Sequence, residues 1–222
     1  MMIRYWGICC AILCGLASAK GAIAGWDFAS AATGPLANYA ATTTDPRVTG
    51  AGLSTSGGAI TPSANGTVLN YHWTGGGAGG LNGAILELQI TTAGATFSGF
   101  NAAYTAASDK VSAISGTWTY WINNGTHTTL ASEAIFVGPT ATPNSDILAG
   151  ISLANNDVLH LQFVLGVPTA GSGAGDFDID SLIISASSIT PVPEPVNVAL
   201  GLFAVIALGV AVGRRVLKTR QA

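Results

Sequence analysis

Between residues 20 and 190 the chain alternates apolar and polar positions with a period of two, the spacing of β-strands. The clearest example is Ala84-Ile-Leu-Glu-Leu-Gln-Ile-Thr91, and similar patterns cover 158–166 and 176–186. No stretch in this range keeps the 3.6-residue period of an amphipathic helix. Roughly ten short strands separated by turns predict an all-β fold, a single jelly-roll-like β-sandwich over 20–190.

Turn signals place the remaining strands. Asn65-Gly66 and Asn123-Asn124-Gly125 each separate two strand-like segments, and Asn-Gly is a strong signal for a β-hairpin. The other predicted strands lie at 23–28, 47–53, 59–61, 67–73, 96–104, 115–122, 126–131, 134–137 and 147–153.

The N-terminal end has the pattern of a signal peptide at residues 1–19. Arg4 precedes an apolar stretch at 5–16, and Ala17-Ser18-Ala19 is a small-residue cleavage pattern. A second cleavage pattern follows at Ala22-Ile23-Ala24. We therefore expect the Sec translocon and signal peptidase as partners. Segment 20–190 contains no thiol, because every cysteine of the chain lies within the signal peptide: Cys9, Cys10 and Cys14.

The C-terminal segment, 191–222, combines a proline-rich triplet, an apolar run and a basic tail. Residues 196–213 carry no charge, and as a helix with about 1.5 Å rise per residue they would extend about 27 Å, enough to span a bilayer core. Cations after an apolar span hold its far end on the cytoplasmic side. The triplet is Pro193-Glu194-Pro195, and the basic residues are Arg214, Arg215, Lys218 and Arg220.

This C-terminal combination resembles the PEP-CTERM sorting signal of Gram-negative bacteria. The resemblance rests on Pro193, Glu194, Pro195, the helix 196–213 and the basic tail, about thirty of 222 residues. It implies an exported precursor held transiently in the inner membrane and recognised by an exosortase, a membrane transpeptidase. The processed protein would then reach the cell surface or the extracellular polysaccharide matrix. Pro-Glu-Pro is the feature that an ordinary membrane anchor does not need.

The charge of the predicted sandwich argues against nucleic-acid binding. Segment 20–190 has three cations against ten acidic residues, a net charge of −7. Protein surfaces that bind nucleic acid concentrate Lys and Arg, and three scattered cations form no such stripe.

Aromatic residues near the second hairpin are candidates for sugar stacking. In strand phase, Trp118 and Tyr120 share one face, and Trp121 lies on the other. Because one face must pack the core, either Trp121 or the Trp118/Tyr120 pair should point outward and offer a surface to sugar rings. The alternative is that all of them pack the core and its rim.

Three alternating carboxylates, Asp176, Asp178 and Asp180, would share one face of a strand. With a loop carbonyl they could contribute to a calcium site, since Ca²⁺ takes six to eight oxygen ligands. Asp27 becomes a possible further ligand if the first and last strands pair. The alternative is a solvated acidic strand face. No other cofactor is expected.

No catalytic constellation is assembled in the sequence. Glycoside hydrolysis needs two carboxylates flanking the bond. Glu87 and Glu133 are the only glutamates in 20–190, and Glu87 has the phase of a solvent-facing residue. The histidines are far apart in sequence and form no metal-binding motif: His72, His127 and His160.

These patterns together predict a non-enzymatic, exported and exosortase-processed protein of the surface or exopolysaccharide matrix, with a structural or adhesive role. The alternative is a carbohydrate-binding module, with exopolysaccharide as its partner and calcium as a structural ion. A glycoside hydrolase is the third hypothesis.

Overall fold

The computed structural model describes residues 19–30, 32, 34–64, 68–74, 77–136, 144–170 and 173–192, and part of the C-terminal segment, residues 200, 202–204, 206–207 and 210. Several predicted features lie outside these residues: most of the signal peptide, the Pro193–Pro195 triplet and the basic tail from Arg214 to Arg220.

The predicted membrane helix at 196–213 is described only in part. The described residues there are helical. Within the described residues, no helix is both long enough and apolar enough to span a membrane. The apolar side chains described in this segment are exposed by more than half: Leu200, Leu202, Phe203, Ile206 and Val210.

From residue 19 to residue 192 the described residues form fifteen β-strands and two short 3-10 helices. The strands are β1 Ala19–Trp26, β2 Tyr39–Ala40, β3 Thr43–Thr44, β4 Val48–Gly57, β5 Pro62–Ala64, β6 Val68–Trp73, β7 Ala84–Thr92, β8 Ala95–Ser108, β9 Val111–Ile122, β10 Thr128–Phe136, β11 Asn144–Ser145, β12 Ser152–Leu153, β13 Val158–Leu165, β14 Thr169–Ala170 and β15 Gly175–Pro191. The 3-10 helices are Ala78–Leu81 and Asp146–Gly150.

The strands form two antiparallel sheets, called here sheet A and sheet B. Sheet A has eight strands. Its strand β15 pairs with β8 on one side and, on the other side, first with β6 and then with β1. The change from β6 to β1 occurs at a bulge beside Ser181, whose φ of 51° is left-handed. Residues 175–180 pair with β6, and residues 182–189 pair with β1. The first and last strands of the sandwich are therefore neighbours in sheet A.

Sheet B has seven strands in the order β10-β9-β13-β7-β4-β2, with β14 beside β9. Its central strand β13 alternates between a buried and an outward row. Leu161 and Phe163 lie in the buried row, whereas His160 and Gln162 lie in the outward row. This is the pattern of a sheet that packs on a core with one face and meets solvent with the other.

Aromatic packing joins the two sheets. The rings of Trp118 and Phe163 stack with centroids 4.4 Å apart, and the ring of Tyr104 in sheet A lies 5.9 Å from that of Phe163. Gly116 leaves the space that the Phe163 ring fills, because a Cβ at that position would collide with it. The core thus lies between the inward faces of sheets A and B.

The predicted all-β sandwich is confirmed. Strands β7 and β13 lie where the alternation predicted them, and β9 and β10 form the predicted hairpin around Asn123. The strand predicted at 147–153 is wrong, because most of that segment is the second 3-10 helix. Its buried residues Leu148 and Ile151 are three positions apart, the period of a 3-10 turn, and only Ser152–Leu153 pairs with β8.

Candidate functional site

The outward face of sheet B, called here the groove face, carries a continuous polar row across four strands. Gln162 of β13 pairs with Thr119 of β9 on one side and with Glu87 of β7 on the other. Glu87 in turn pairs with Ser54 of β4. Side chains of directly paired residues lie on the same face, so these four groups form a row of hydrogen-bonding side chains about 14 Å long.

A shallow groove of about 270 Å³ lies at the β4 end of this row. Its floor includes the exposed Gly50 and the buried Gly52, two positions of β4 at which the groove has no side chain. A Cβ at Gly50 would meet only the side chain of Thr91, at 3.8 Å, whereas a Cβ at Gly52 would collide with the amide oxygen of Asn38. The remaining lining residues all carry hydrogen-bonding groups: Asn38, Ser54, Glu87, Gln89 and Thr91.

Trp121 stands on the groove face between two histidines. The ring centroid of His127 lies 4.0 Å from that of Trp121, and the centroid of His160 lies 4.8 Å away, with interplanar angles of 8° and 9°. His127 precedes β10 and His160 lies on β13, and β9 runs between these strands, so the imidazoles cover opposite faces of the indole. Trp121 consequently presents its edge, and not a ring face, to a ligand.

His160 also connects this stack to the groove. Its Nδ1 lies 3.3 Å from Oε1 of Glu87, and because an ionised carboxylate can only accept, His160 is the donor. The side chain of His160 is 19% exposed and that of Glu87 is 37% exposed. Glu87 is therefore held at the groove from one oxygen and remains open to solvent.

The predicted aromatic candidates have different outcomes. Trp118 is 1% exposed and stacks on Phe163, so its prediction as a sugar-stacking residue is wrong. Tyr120 is half-buried and packs against the core from the same face as Trp118, so it does not provide the exposed platform either. Trp121 is the aromatic residue that faces outward.

The predicted acidic row lies on the outward face of sheet A. Asp176, Asp178 and Asp180 alternate with buried residues of β15. The amide of Asn70 on β6 donates to both of the first two, with Nδ2 2.6 Å from Oδ1 of Asp178 and 3.1 Å from Oδ1 of Asp176. Nδ1 of His72 lies 2.7 Å from that same Oδ1 of Asp176.

The pKa values of the neighbouring carboxylates Asp176 and Asp178 are shifted in opposite directions. Hydrogen bonds from Asn70, and secondly from His72, hold the pKa of Asp176 below its ordinary value. Burial raises the pKa of Asp178, a rise to which the negative charges of Asp176 and other nearby aspartates contribute, although the bond from Asn70 opposes it. The hydrogen bonds favour the charged form, whereas desolvation and like charge disfavour it.

The structure does not assemble a calcium site from these carboxylates. Strands β1 and β15 pair, yet Oδ1 of Asp27 accepts from the Thr42 hydroxyl at 2.6 Å and from the Ala29 amide at 3.0 Å. In the described part of the chain, no group of three or more His, Cys, Asp or Glu side chains could hold a metal ion.

The glutamates considered for glycoside hydrolysis are on separated strands. Glu87 is on β7 and Glu133 is on β10, with β13 and β9 between them. Three strand spacings amount to about 14 Å, whereas hydrolase carboxyl pairs lie about 5–9.5 Å apart. The strand order does not favour this pair as a catalytic dyad.

Sequence reasoning missed most of the groove. Glu87, Gln89 and Thr91 are consecutive outward positions of β7, and the alternation alone contained that signal. Asn38, Gly50 and Gly52 reach the groove through pairing of β2 with β4 and of β4 with β7, for which the sequence has no local signal.

No family model and no curated protein matches this sequence. The sandwich is similar to the N-terminal cellulose-binding domain of Cellulomonas fimi β-1,4-glucanase C, with 14% identity over 61% of this chain and 88% of that chain and a TM-score of 0.36. It is also similar to the family 11 carbohydrate-binding module of a cellulosomal cellulase of Clostridium thermocellum, with 15% identity over 78% of this chain and 96% of that chain and a TM-score of 0.31. A third similar structure is the enzymatically active domain of bacteriophage CBA120 tailspike protein 4, with 12% identity over 61% of this chain and 19% of that chain and a TM-score of 0.32. Likenesses this low do not assign a ligand to this chain.

Proposed function

We propose that this chain is an exported, non-enzymatic polysaccharide-binding protein whose jelly-roll-like sandwich holds glycan on the groove face. The observation that carries the proposal is the groove of about 270 Å³, in which hydroxyl, amide and carboxylate groups surround a glycine floor. Sugar hydroxyls both donate and accept, and this set of side chains offers both roles. Binding sites are concave, and their convergent polar groups fix the orientation of the ligand.

The extent of the polar surface favours a polymer over a single sugar. From Ser54 to Thr119 the outward row crosses four strands, about 14 Å. The described lining of the groove contains a single carboxylate, Glu87, which fits a polymer that is held without being cut. In a polysaccharide matrix such binding would give the protein a structural or adhesive role, with exopolysaccharide as its partner.

The binding experiment compares the full chain with a variant that fills the groove floor. Gly50→Val adds a β-branched side chain to a strand where a Cβ meets only Thr91, so the fold should tolerate it. Binding to purified exopolysaccharide of the host, measured by calorimetric titration, should weaken at least about tenfold with an unchanged Tm. Gly150→Val, at an open position outside the groove, is the matched control and should bind like the wild type.

Two results would contradict this proposal. If no polysaccharide gives saturable binding, the domain is not a polysaccharide-binding module. If Gly50→Val binds as tightly as the wild type, the ligand lies elsewhere.

We further propose that export and sorting follow the PEP-CTERM route, from the Sec translocon and signal peptidase to an exosortase at the inner membrane and then to the surface or matrix of a Gram-negative bacterium. The motif Pro193-Glu194-Pro195, the apolar run at 196–213 and the basic residues after it support this route. The sandwich ends directly before the motif, since the Val192 amide donates to the Gly94 carbonyl at 2.8 Å. The triplet would therefore be the first segment beyond the folded domain that an enzyme could bind.

The intact mass of the protein recovered from the native host's surface tests the sorting proposal. We expect a product that begins at Lys20 or Gly25 and ends within Pro193–Pro195, with or without an added group. Replacement of all three triplet residues by alanine should leave the precursor unprocessed in the membrane. If that variant is processed and localised normally, the sorting proposal is wrong, whereas the binding proposal is unaffected.

A further inference from the structure

The described lining of the groove contains a carboxylate and no lysine or arginine. Among the described residues that line the groove, Glu87 is the only ionisable one. Segment 20–190 has three cations, Lys20, Arg47 and Lys110; Lys20 belongs to β1 of sheet A, and neither Arg47 nor Lys110 is among the described residues that line the groove. The guanidinium of Arg47 is already paired with Asp45, with Nη2 2.7 Å from Oδ2.

The Glu87 carboxylate is oriented by its neighbours. Its Oε1 accepts from His160 at 3.3 Å, and the imidazole of His160 is itself stacked on Trp121 at 4.8 Å. One oxygen is thereby engaged, and the partly exposed carboxylate keeps lone pairs for a ligand. A carboxylate at neutral pH accepts hydrogen bonds and cannot donate them, so it binds hydroxyl groups and repels other anions.

We propose, on the basis of the function proposed above, that the groove selects neutral polysaccharides and excludes polyuronates and sulfated glycans. Glu87 is the specificity-determining residue, because it accepts from sugar hydroxyls and faces any anionic group of the ligand without a cation between them. At half-exposed sites a like charge within about 5 Å weakens binding by roughly tenfold. His160 is a positioning residue that holds Glu87 toward the groove.

Matched polymers that differ in charge test this specificity. The full chain is titrated with hydroxyethyl cellulose and carboxymethyl cellulose, and with methyl-esterified and free polygalacturonate. Within at least one pair, the neutral polymer should bind about tenfold more tightly at low salt. The difference should shrink at about 1 M salt, where the Debye length falls to about 3 Å.

Two charge-removing variants assign the effect to Glu87. Glu87→Gln keeps an oxygen acceptor and should reduce the discrimination to less than about threefold. Asp180→Asn removes one charge from the outward face of sheet A and should leave the discrimination unchanged. Equal changes in both variants would attribute selectivity to the net charge of the domain and would overturn the assignment to Glu87.

The outcomes separate this inference from the proposed function. If the neutral and acidic members of every pair bind equally, or the acidic member binds more tightly, the charge selectivity is wrong and polysaccharide binding stands. If none of these polymers binds but host exopolysaccharide does, the charge of that exopolysaccharide decides the outcome. A neutral exopolysaccharide would support a groove selective for neutral glycan, and an acidic one would overturn it. If neither binds, both proposals fail.

Discussion

The indole of Trp118 stacks on the ring of Phe163, with centroids 4.4 Å apart and planes at 29°. Both side chains are at most 2% exposed and lie on neighbouring strands of sheet B. This relationship identifies Trp118 as a core residue, although its sequence neighbours Tyr120 and Trp121 suggested a sugar platform. The distinction between core and ligand roles can be measured.

Trp118→Ala should lower the free energy of unfolding by about 3–5 kcal/mol, because it leaves a large cavity between the sheets. Urea denaturation of the full chain measures the loss. Trp118→Phe retains an aromatic ring, so its loss should be smaller and its polysaccharide affinity unchanged. If a Trp118→Phe variant folds normally but binds polysaccharide more than about tenfold less tightly, Trp118 takes part in ligand binding and the prediction is wrong.

Trp121→Ala should weaken polysaccharide binding and have only a small effect on stability. It removes the ring stacked against His127 and His160 but opens no cavity in the core, so we expect a stability loss of only about 1–2 kcal/mol. Binding should weaken several-fold, since His160 loses the support that fixes Glu87. Val167→Ala removes an exposed apolar side chain outside the groove and should change neither quantity. Unchanged binding by Trp121→Ala would show that the stack does not position Glu87.

The sequence predicted the strands more fully than the site. Alternation identified β7 and its outward residue Glu87, and the Asn-Gly turn identified the β9–β10 hairpin. A period of two defines two faces without saying which one is buried, so the choice between Trp118 and Trp121 depended on which face packs against sheet A. The groove needed the register between distant strands, which brought Gly50 beside Thr91.

Gly116→Ala should destabilise the sandwich by about 1–3 kcal/mol, because the added methyl group would collide with the ring of Phe163. The φ of Gly116 is not left-handed, so backbone strain does not contribute. Combining Gly116→Ala with Phe163→Leu should recover part of the loss, which a double-mutant cycle from urea denaturation measures. If the losses in the free energy of unfolding of the two single variants simply add in the double variant, Gly116 is not required for the packing of Phe163.

Asp178→Asn should stabilise the protein at pH 7. Burial raises the pKa of Asp178, so the ionised carboxylate costs free energy in the folded state, whereas an asparagine side chain still accepts from Asn70. After allowance for solvent screening we expect about 0.5 kcal/mol, a Tm increase of about 1–2 °C for a domain of this size. The gain should be present above the raised pKa and disappear below about pH 3.9, where Asp178 is protonated in both states.

Asp176→Asn is the matched comparison on the same strand and should destabilise the protein at pH 7. Hydrogen bonds from Asn70 and His72 lower the pKa of Asp176, so its ionised form stabilises the folded state above the ordinary carboxyl pKa. That contribution is lost as the pH falls through the lowered pKa, so wild type and variant should converge in acid. Thermal unfolding of both variants between pH 3 and pH 7 measures the two trends. Parallel trends in the two variants would contradict the opposing effects of burial and hydrogen bonding on this pair of carboxylates.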